Sequence, residues 1–271
     1  MALYVNTNVS SLTAQIRLNK STKSLNKSYD RLSSGFRINS AKDDAAGLQI
    51  SNKMTSQIDG LKQGNRNAND AISMTQATEG ALDQVTEMLQ RMRVLALQSS
   101  NGTNSSSQRA AIQEEINALS SEITRIGTDT SFGGQKLFTE DKTVKFQVGA
   151  DANQTIDFGL KSMSSIADFS TALDLTSADA SQGAITRLDE MIANVDSYRG
   201  SLGAVQNRLE STIENQENVI SNITDARSRI RDVDYAEETA NYTAQQILQQ
   251  MSTSILAQAN QKNSIALSLL G

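Results

Sequence analysis

RLSSGFRINSAKDDAAGLQIS, Arg31 to Ser51, interrupts a long amphipathic pattern. The stretch carries Gly35 and Gly47, serines at 33, 34 and 40, and adjacent carboxylates at Asp43 and Asp44. It is either an active-site loop or a joint between two helical rods. Before it, Val5, Val9, Leu12 and Ile16 are spaced 4, 3, 4, and a second register follows through Leu18, Leu25, Tyr29, Leu32 and Phe36. Both spacings are those of helix seams that bury one stripe against a partner. After it, Ser40 with Asp43 has the spacing of a capping box, and Asp44 adds a second acid to the first helical turn.

Composition removes most catalytic alternatives. The 271 residues contain no cysteine, histidine, tryptophan or proline. A chain without thiol or imidazole cannot build a Cys or Ser–His nucleophile, a zinc site or a haem ligand of the usual kinds. Asp43 and Asp44 therefore read as helix-start acids rather than catalytic carboxylates, and no enzyme or cofactor is expected. Proline breaks helix interiors by removing a donor and clashing with the preceding turn, so its absence suits long helices. Aromatic residues make up 4 % of the chain, too few for a large globular core but enough for narrow helix–helix seams. The longest apolar runs are a few residues, so no membrane insertion is expected. The opening MALYVNTNVSS has neither a basic region nor an apolar core and does not read as a cleavable signal.

Charge is unevenly spread. Residues 1–42 carry seven Lys/Arg against one acid, whereas residues 43–224 carry 14 basic and 24 acidic residues. A basic arm can meet nucleic acid, but bases are held by aromatic stacking and aromatics are scarce here, so no nucleic-acid partner is expected. The arm reads instead as a solvated face, or as one that meets the acidic body of a neighbouring copy.

Downstream of the joint a helix is expected to run to about Ser100, with Met54, Ile58, Leu61, Ala68 and Ile72 and then Leu82, Val85, Leu89, Met92 and Ala96 on its apolar stripe. Gly47, Gly60, Gly64 and Gly80 weaken it and leave room for a neighbouring helix. Ser99 to Ser107 is a loop, and Ser105 with Gln108 offers a second capping box. Ile112, Ile116, Leu119, Ile123 and Ile126 then form a seam that folds back antiparallel on its predecessor. Past Gly133-Gly134 the period changes to two. Val144, Phe146 and Val148, then Ile156, Phe158 and Leu160, predict a β-hairpin over about 143–160 that must lie on the helices.

The longest pattern starts at Leu188. Stepping 4 and 3 alternately to Ile230 visits 13 positions, of which nine are Leu, Ile or Val; Arg199, Gln206, Gln216 and Arg227 are the exceptions. A helix from about Ser181 to Thr224 follows, with Gly200 and Gly203 as its weak points. Beyond Ile230-Arg231-Asp232 a last amphipathic stretch runs through Ile247, Met251, Ile255, Ile265 and Leu269. Each chain end is thus one amphipathic helix joined by a polar break to a central bundle. Isolated helices need an apolar partner, and nothing else in the chain is large enough to cover these two. Self-assembly is the implied function.

With that inference drawn from the residues, the motifs themselves resemble a known family. RLSSGFRINSAKDDAAGLQIS, the start ALYVNTNVSSLTAQ, the segment NDAISMTQATEGALDQVTEMLQRMRVLALQSSNGT and the end QANQKNSIALSLLG are similar to the signatures of bacterial flagellins, over most of residues 1–160 and 181–271. The resemblance implies a mainly α fold: a long antiparallel helical bundle or coiled coil with a small β-hairpin, whose N- and C-terminal helices pair as a polymerisation core. Mapped onto this chain, residues 1–42 would be an N-terminal core helix with the start of a spoke, 43–224 a helical rod with the hairpin, and 225–271 the C-terminal core helix. About 20 residues separate Leu160 from the next helix, so this would be a minimal form without outer insert domains.

The function so implied is a structural subunit of the extracellular flagellar filament, for motility. A hook–filament junction or other flagellar adaptor is the alternative. Residues expected in the polymerisation core are Val5, Val9, Leu12, Ile16, Leu25, Leu32, Ile247, Met251, Ile255, Leu267, Leu269 and Leu270. Partners implied are further copies of the chain, an export chaperone on the C-terminal helix, and the filament cap and hook-junction proteins. Export would proceed without a cleavable signal. In some members an LQRxRxLxxQ stretch and an acid on the adjacent helix are read by host Toll-like receptor 5. Here Leu89, Gln90, Arg91, Arg93, Leu95, Gln98 and Glu115 match, as a receptor or subunit contact.

Overall fold

The computed structural model describes residues 7–169 and 173–268; the side chains of 262–268 lie outside the description. Six helices and four strands follow in order: α1 (Val9–Ser34), α2 (Ala45–Ser100), α3 (Ser106–Asp129), β1 (Ser131–Phe132), β2 (Gln135–Lys136), β3 (Lys142–Gln147), β4 (Thr155–Leu160), α4 (Met163–Ile166), α5 (Ala178–Arg231) and α6 (Tyr235–Ser268). The architecture is mainly α with two antiparallel strand pairs, β1–β2 and β3–β4. The chain forms two compact units, Met1–Ser56 with Asn222–Gly271, and Gln57–Ser221.

The unit of residues 57–221 has its core where the heptads put it. Leu82, Val85, Leu89, Met92 and Ala96 of α2 are buried with Ile112, Ile116 and Ile123 of α3 and with Leu188, Val195 and Leu202 of α5. Helix α3 starts in a complete capping box: Gln108 N–H donates to the Ser105 hydroxyl while Ser105 N–H donates to the Gln108 side chain, so two orphan donors are satisfied reciprocally.

All 13 heptad positions from Leu188 to Ile230 are buried or half-buried. The four that break the aliphatic pattern each have a polar partner. Arg199 pairs with Asp83 at 3.1 Å, Gln206 donates to Glu79 at 3.1 Å, Gln216 donates to the Val148 carbonyl at 2.6 Å, and Arg227 donates to Thr55 at 3.3 Å. Each polar residue sits in the seam because a donor is needed at that height. Helix α5 runs past Thr224 to Arg231, and Gly200 and Gly203 do not interrupt it.

Strands β3 and β4 pair in register Phe146↔Ile156 and Val144↔Phe158, with the apolar members of β4 buried. Gly60 and Gly64 were expected to admit a neighbouring helix; they admit this hairpin instead. A Cβ on Gly64 would lie 1.8 Å from the Val148 carbonyl oxygen, and one on Gly60 would lie 2.9 Å from Ala150 Cβ. Asn67 fixes the same approach by donating to the Gln147 carbonyl at 2.8 Å.

The start of α2 also differs from expectation. The helix begins at Ala45, and its cap is Asp44, whose carboxylate accepts from Gly47 N–H at 2.9 Å. Ser40 stands outside the helix in a turn. Asp43 closes that turn by accepting from the Ser40 N–H at 3.2 Å and its hydroxyl at 3.1 Å. Asp43 is already committed to the turn and to Lys27, which leaves the next acid to cap.

Candidate assembly surfaces

The pairing of the two terminal helices is the unusual feature of the molecule. Helices α1 and α6 run antiparallel: Asn8 donates to the Ala259 carbonyl at 2.8 Å, Ser21 to the Gln245 carbonyl at 2.9 Å, and Arg31 to Glu238 at 3.3 Å. The face that α1 turns to its partner follows a 3, 4 spacing through Ala14, Leu18, Ser21, Leu25, Ser28 and Leu32. The facing stripe of α6 is Glu238, Tyr242, Gln245, Gln249, Ser252, Leu256 and Ala259. Small side chains let the backbones approach closely enough for a serine to reach a carbonyl across the seam. The contact is mixed: Leu18, Leu25, Leu32 and Leu256 lie in it beside hydrogen-bonded Ser21, Gln245, Thr22 and Gln249.

The aliphatic stripes lie on the other faces. Val9, Leu12 and Ile16 of α1 and Ile247, Leu248, Met251 and Ile255 of α6 are 49–62 % exposed. Tyr29 and Tyr235 are equally open. The pair therefore holds a mixed polar and apolar seam within and leaves its other aliphatic stripes open without. Full burial of a large apolar side chain contributes roughly 1.5–3 kcal/mol, so covering these seven half-exposed aliphatics would stabilise an assembly by on the order of 5–10 kcal/mol per copy. Large contiguous apolar patches of this kind mark contact sites.

Of the residues expected in this core, Val9, Leu12, Ile16, Ile247, Met251 and Ile255 are exposed, and Leu25 and Leu32 are half-buried in the α1–α6 seam. Val5, Leu269, Leu270 and the Leu267 side chain lie outside the described residues.

The joint between α1 and α2 is locked to the joint between α5 and α6. Gly35 ends α1 in the left-handed conformation, φ 74°, and donates to the Arg31 carbonyl. Phe36 then pairs with Asp232 as an isolated antiparallel bridge, with Arg37 N–H on the Arg231 carbonyl at 2.7 Å and Val233 N–H on the Gly35 carbonyl at 3.0 Å. The Arg231 guanidinium stacks 4.3 Å above the Phe36 ring, and Ile38 is buried against α2 at Gly47. Lys27 adds a 2.9 Å ion pair to Asp43. The stretch that opened the reading is thus a joint, and its two carboxylates hold turn and helix start.

The second candidate surface is on α2. Gln90, Arg91, Arg93 and Gln98 are exposed, as is Glu115 on α3. Arg91 donates twice to Glu115, at 3.0 and 2.8 Å. Arg93 forms a two-point pair with Asp189 of α5, which raises the arginine pKa and holds the Asp189 carboxyl below the usual range. Leu89 and Leu95 correct the sequence-based expectation. They are buried in the core at 0 % and 3 % exposure and cannot touch a partner. Val94 and Leu97, which the motif did not single out, are the exposed apolar residues of that face.

With the geometry in hand, comparisons with known proteins converge. A family model for the bacterial flagellin N-terminal helical region matches residues 5–143, and one for the C-terminal helical region matches residues 185–270. Flagellin B of Vibrio cholerae is 41 % identical over 376 aligned positions covering 100 % of both chains, and polar flagellin A of Vibrio parahaemolyticus is 38 % identical over 376, also covering both fully. An alignment of 376 positions against 271 residues leaves 105 positions without a counterpart here. Among solved structures, a crystal structure of Bacillus cereus flagellin matches at TM-score 0.50 and 29 % identity, over 56 % of this chain and 88 % of that one. A candidate flagellar hook-associated protein from Vibrio parahaemolyticus matches at TM-score 0.60 over 70 % of this chain and 100 % of its own; at 15 % identity it shares the fold alone.

Proposed function

The chain belongs to the bacterial flagellin family, and from that premise we propose that it is a minimal structural subunit that polymerises into the extracellular flagellar filament through its terminal helices. The observation that carries the mechanism is the α1–α6 pair with its outward aliphatic stripes. A chain that hydrogen-bonds its ends together and leaves their aliphatic stripes open gains apolar burial only from other copies. Ordering the ends opposes assembly, so association sets in above a threshold concentration. The full-length match to flagellins favours the filament subunit over the hook-junction alternative.

Further partners rest on the same surfaces. Before assembly, the open stripe Ile247, Met251 and Ile255 needs a cover, and an export chaperone on α6 would supply it. Copies at the ends of the filament would present the same stripes to hook-junction and cap proteins. On α2, the exposed set Gln90, Arg91, Val94, Leu97 and Gln98 with Glu115 of α3 is the surface offered to a neighbouring copy or to Toll-like receptor 5. Arg91 and exposed Val94, three residues apart on one face of α2, have the character of an anchor pair.

The test is seeded growth. Monomer in a precipitating salt, alone and with sonicated fragments of flagellin filaments as seeds, is imaged by negative-stain electron microscopy. Long uniform tubes extending from the seeds are expected. Monomer that never extends them would leave an adaptor that binds other proteins through the same stripes.

A further inference from the structure

A groove of about 1140 Å³ lies between α1 and the turn of the joint. Lys20, Lys23, Lys27, Arg31 and Lys42 line it against Asp30 and Asp43. Arg31 is taken by Glu238 and Lys27 shares Asp43, whereas Lys20, Lys23 and Lys42 form no ion pair among the described residues. The groove is therefore a cationic channel with unspent charge, and Ile16 extends it toward the exposed aliphatic stripe.

A matching stripe exists elsewhere on the chain. Glu210, Glu214 and Glu217 of α5 are exposed and form no ion pair among the described residues. They lie on one side of the helix, since residues four and then three apart share a face. Lys20, Lys23 and Lys27 are spaced 3, 4 along α1; Glu210, Glu214 and Glu217 are spaced 4, 3 along α5. Laid antiparallel, the two helices align Lys20 with Glu217, Lys23 with Glu214 and Lys27 with Glu210 over the same rise of about 10 Å.

We propose that the basic groove of one copy seats the Glu210–Glu217 stripe of α5 of a second copy, antiparallel, and so sets the axial register of the filament. This rests on the filament reading and names one of its contacts. Apolar stripes can slide along one another with little change in buried area. A row of three charge pairs cannot, because a shift of one turn leaves at least one charge unmatched. Such pairs steer and register more than they bind.

The test exploits the fact that every copy of a homopolymer carries both surfaces. Lys20→Glu with Lys23→Glu, and separately Glu210→Lys with Glu214→Lys, are each expected to raise the critical concentration for seeded growth at least tenfold at low salt. The fourfold charge swap, with both sides reversed on one chain, is expected to return to within threefold of the parent. Circular dichroism confirms folding of each variant. A second readout needs no charge reversal: because the chain has no cysteine, Lys23→Cys with Glu214→Cys should give a ladder of disulfide-linked oligomers in oxidised filaments. Parent-like growth of both double variants, or loss that the swap fails to rescue together with no ladder, overturns the pairing while the filament reading stands. A parent that does not extend seeds overturns both.

Discussion

The bundle of α2, α3 and α5 and the pair of α1 and α6 are written in the same 3, 4 spacing and do opposite things with it. In the bundle the aliphatic stripes meet one another, and Leu82, Val85, Leu89 and Met92 are shut from solvent. In the pair Val9, Leu12, Ile16, Ile247, Met251 and Ile255 face outward, and Leu18, Leu25 and Leu32 share the seam with serines, glutamines and an Arg31–Glu238 ion pair. The first is a core finished within one chain. The second leaves its aliphatic stripes open within one chain, and on the proposed reading other copies finish it. Hydrophobic periodicity therefore states that a helix has a partner, without stating whose.

The sharpest way to break the contrast is to remove one side of it. Deleting residues 1–42 or 225–271 is expected to abolish filament growth at every concentration, while the remaining bundle still melts cooperatively by circular dichroism. Failure of the bundle to fold alone would show that the two regions stabilise each other.

Point substitutions should separate the regions next. Met251→Asp with Ile255→Asp places charge on an open stripe; the monomer's thermal midpoint should hold, and the critical concentration should rise on the order of a hundredfold, the equivalent of about 2.7 kcal/mol. Leu89→Ala opens a cavity in the finished core, and should cost about 2–5 kcal/mol of monomer stability by denaturant titration. Reversed outcomes would mean the stripes are already covered within one chain.

Much of this was legible beforehand and some of it was not, for physical reasons. The α5 seam, the Ser105–Gln108 capping box and the β3–β4 hairpin rest on local spacing, and local spacing is in the sequence. Two registers were visible in α1, but spacing could not say that Leu18, Leu25 and Leu32 meet α6 while Val9, Leu12 and Ile16 do not. That choice depends on serines and glutamines whose partners are more than 200 residues away. Leu89 was misplaced because a motif outweighed the heptad that already contained it; the step from Val85 through Leu89 to Met92 was the signal that could have corrected it. Asp189 as the partner of Arg93, 96 residues distant, left no local trace. Glycine tolerance likewise looks the same in sequence whether a helix or a hairpin arrives.

That last ambiguity yields a smaller prediction. At Gly64 an added methyl meets the Val148 carbonyl, so Gly64→Ala should cost about 1–3 kcal/mol through overpacking and displace the hairpin. At Gly80 nothing lies within 4 Å, so Gly80→Ala should stabilise by about 0.5–1 kcal/mol through helix propensity alone. Thermal melts of the two variants should move in opposite directions. Movement in the same direction would place the hairpin elsewhere.

The smallest effect concerns the joint itself. The hydrogen bond from Lys27 is the main cause that lowers the Asp43 carboxyl to about 2, with Ser40 adding to it and partial desolvation opposing. A carboxylate whose folded pKa is depressed stabilises the fold above its ordinary pKa, and that contribution is lost as pH falls through the folded value. The window here runs from just below pH 4 down to about 2. A carboxylate-detected NMR titration should find the Asp43 midpoint near the bottom of that window in the parent and moved toward the ordinary aspartate value in Lys27→Met. Asp43→Asn should remove this residue's share of the acid dependence altogether. If the midpoint stays low in Lys27→Met, the Ser40 donors carry the turn by themselves, and Lys27 is held at the joint for a purpose other than fixing Asp43.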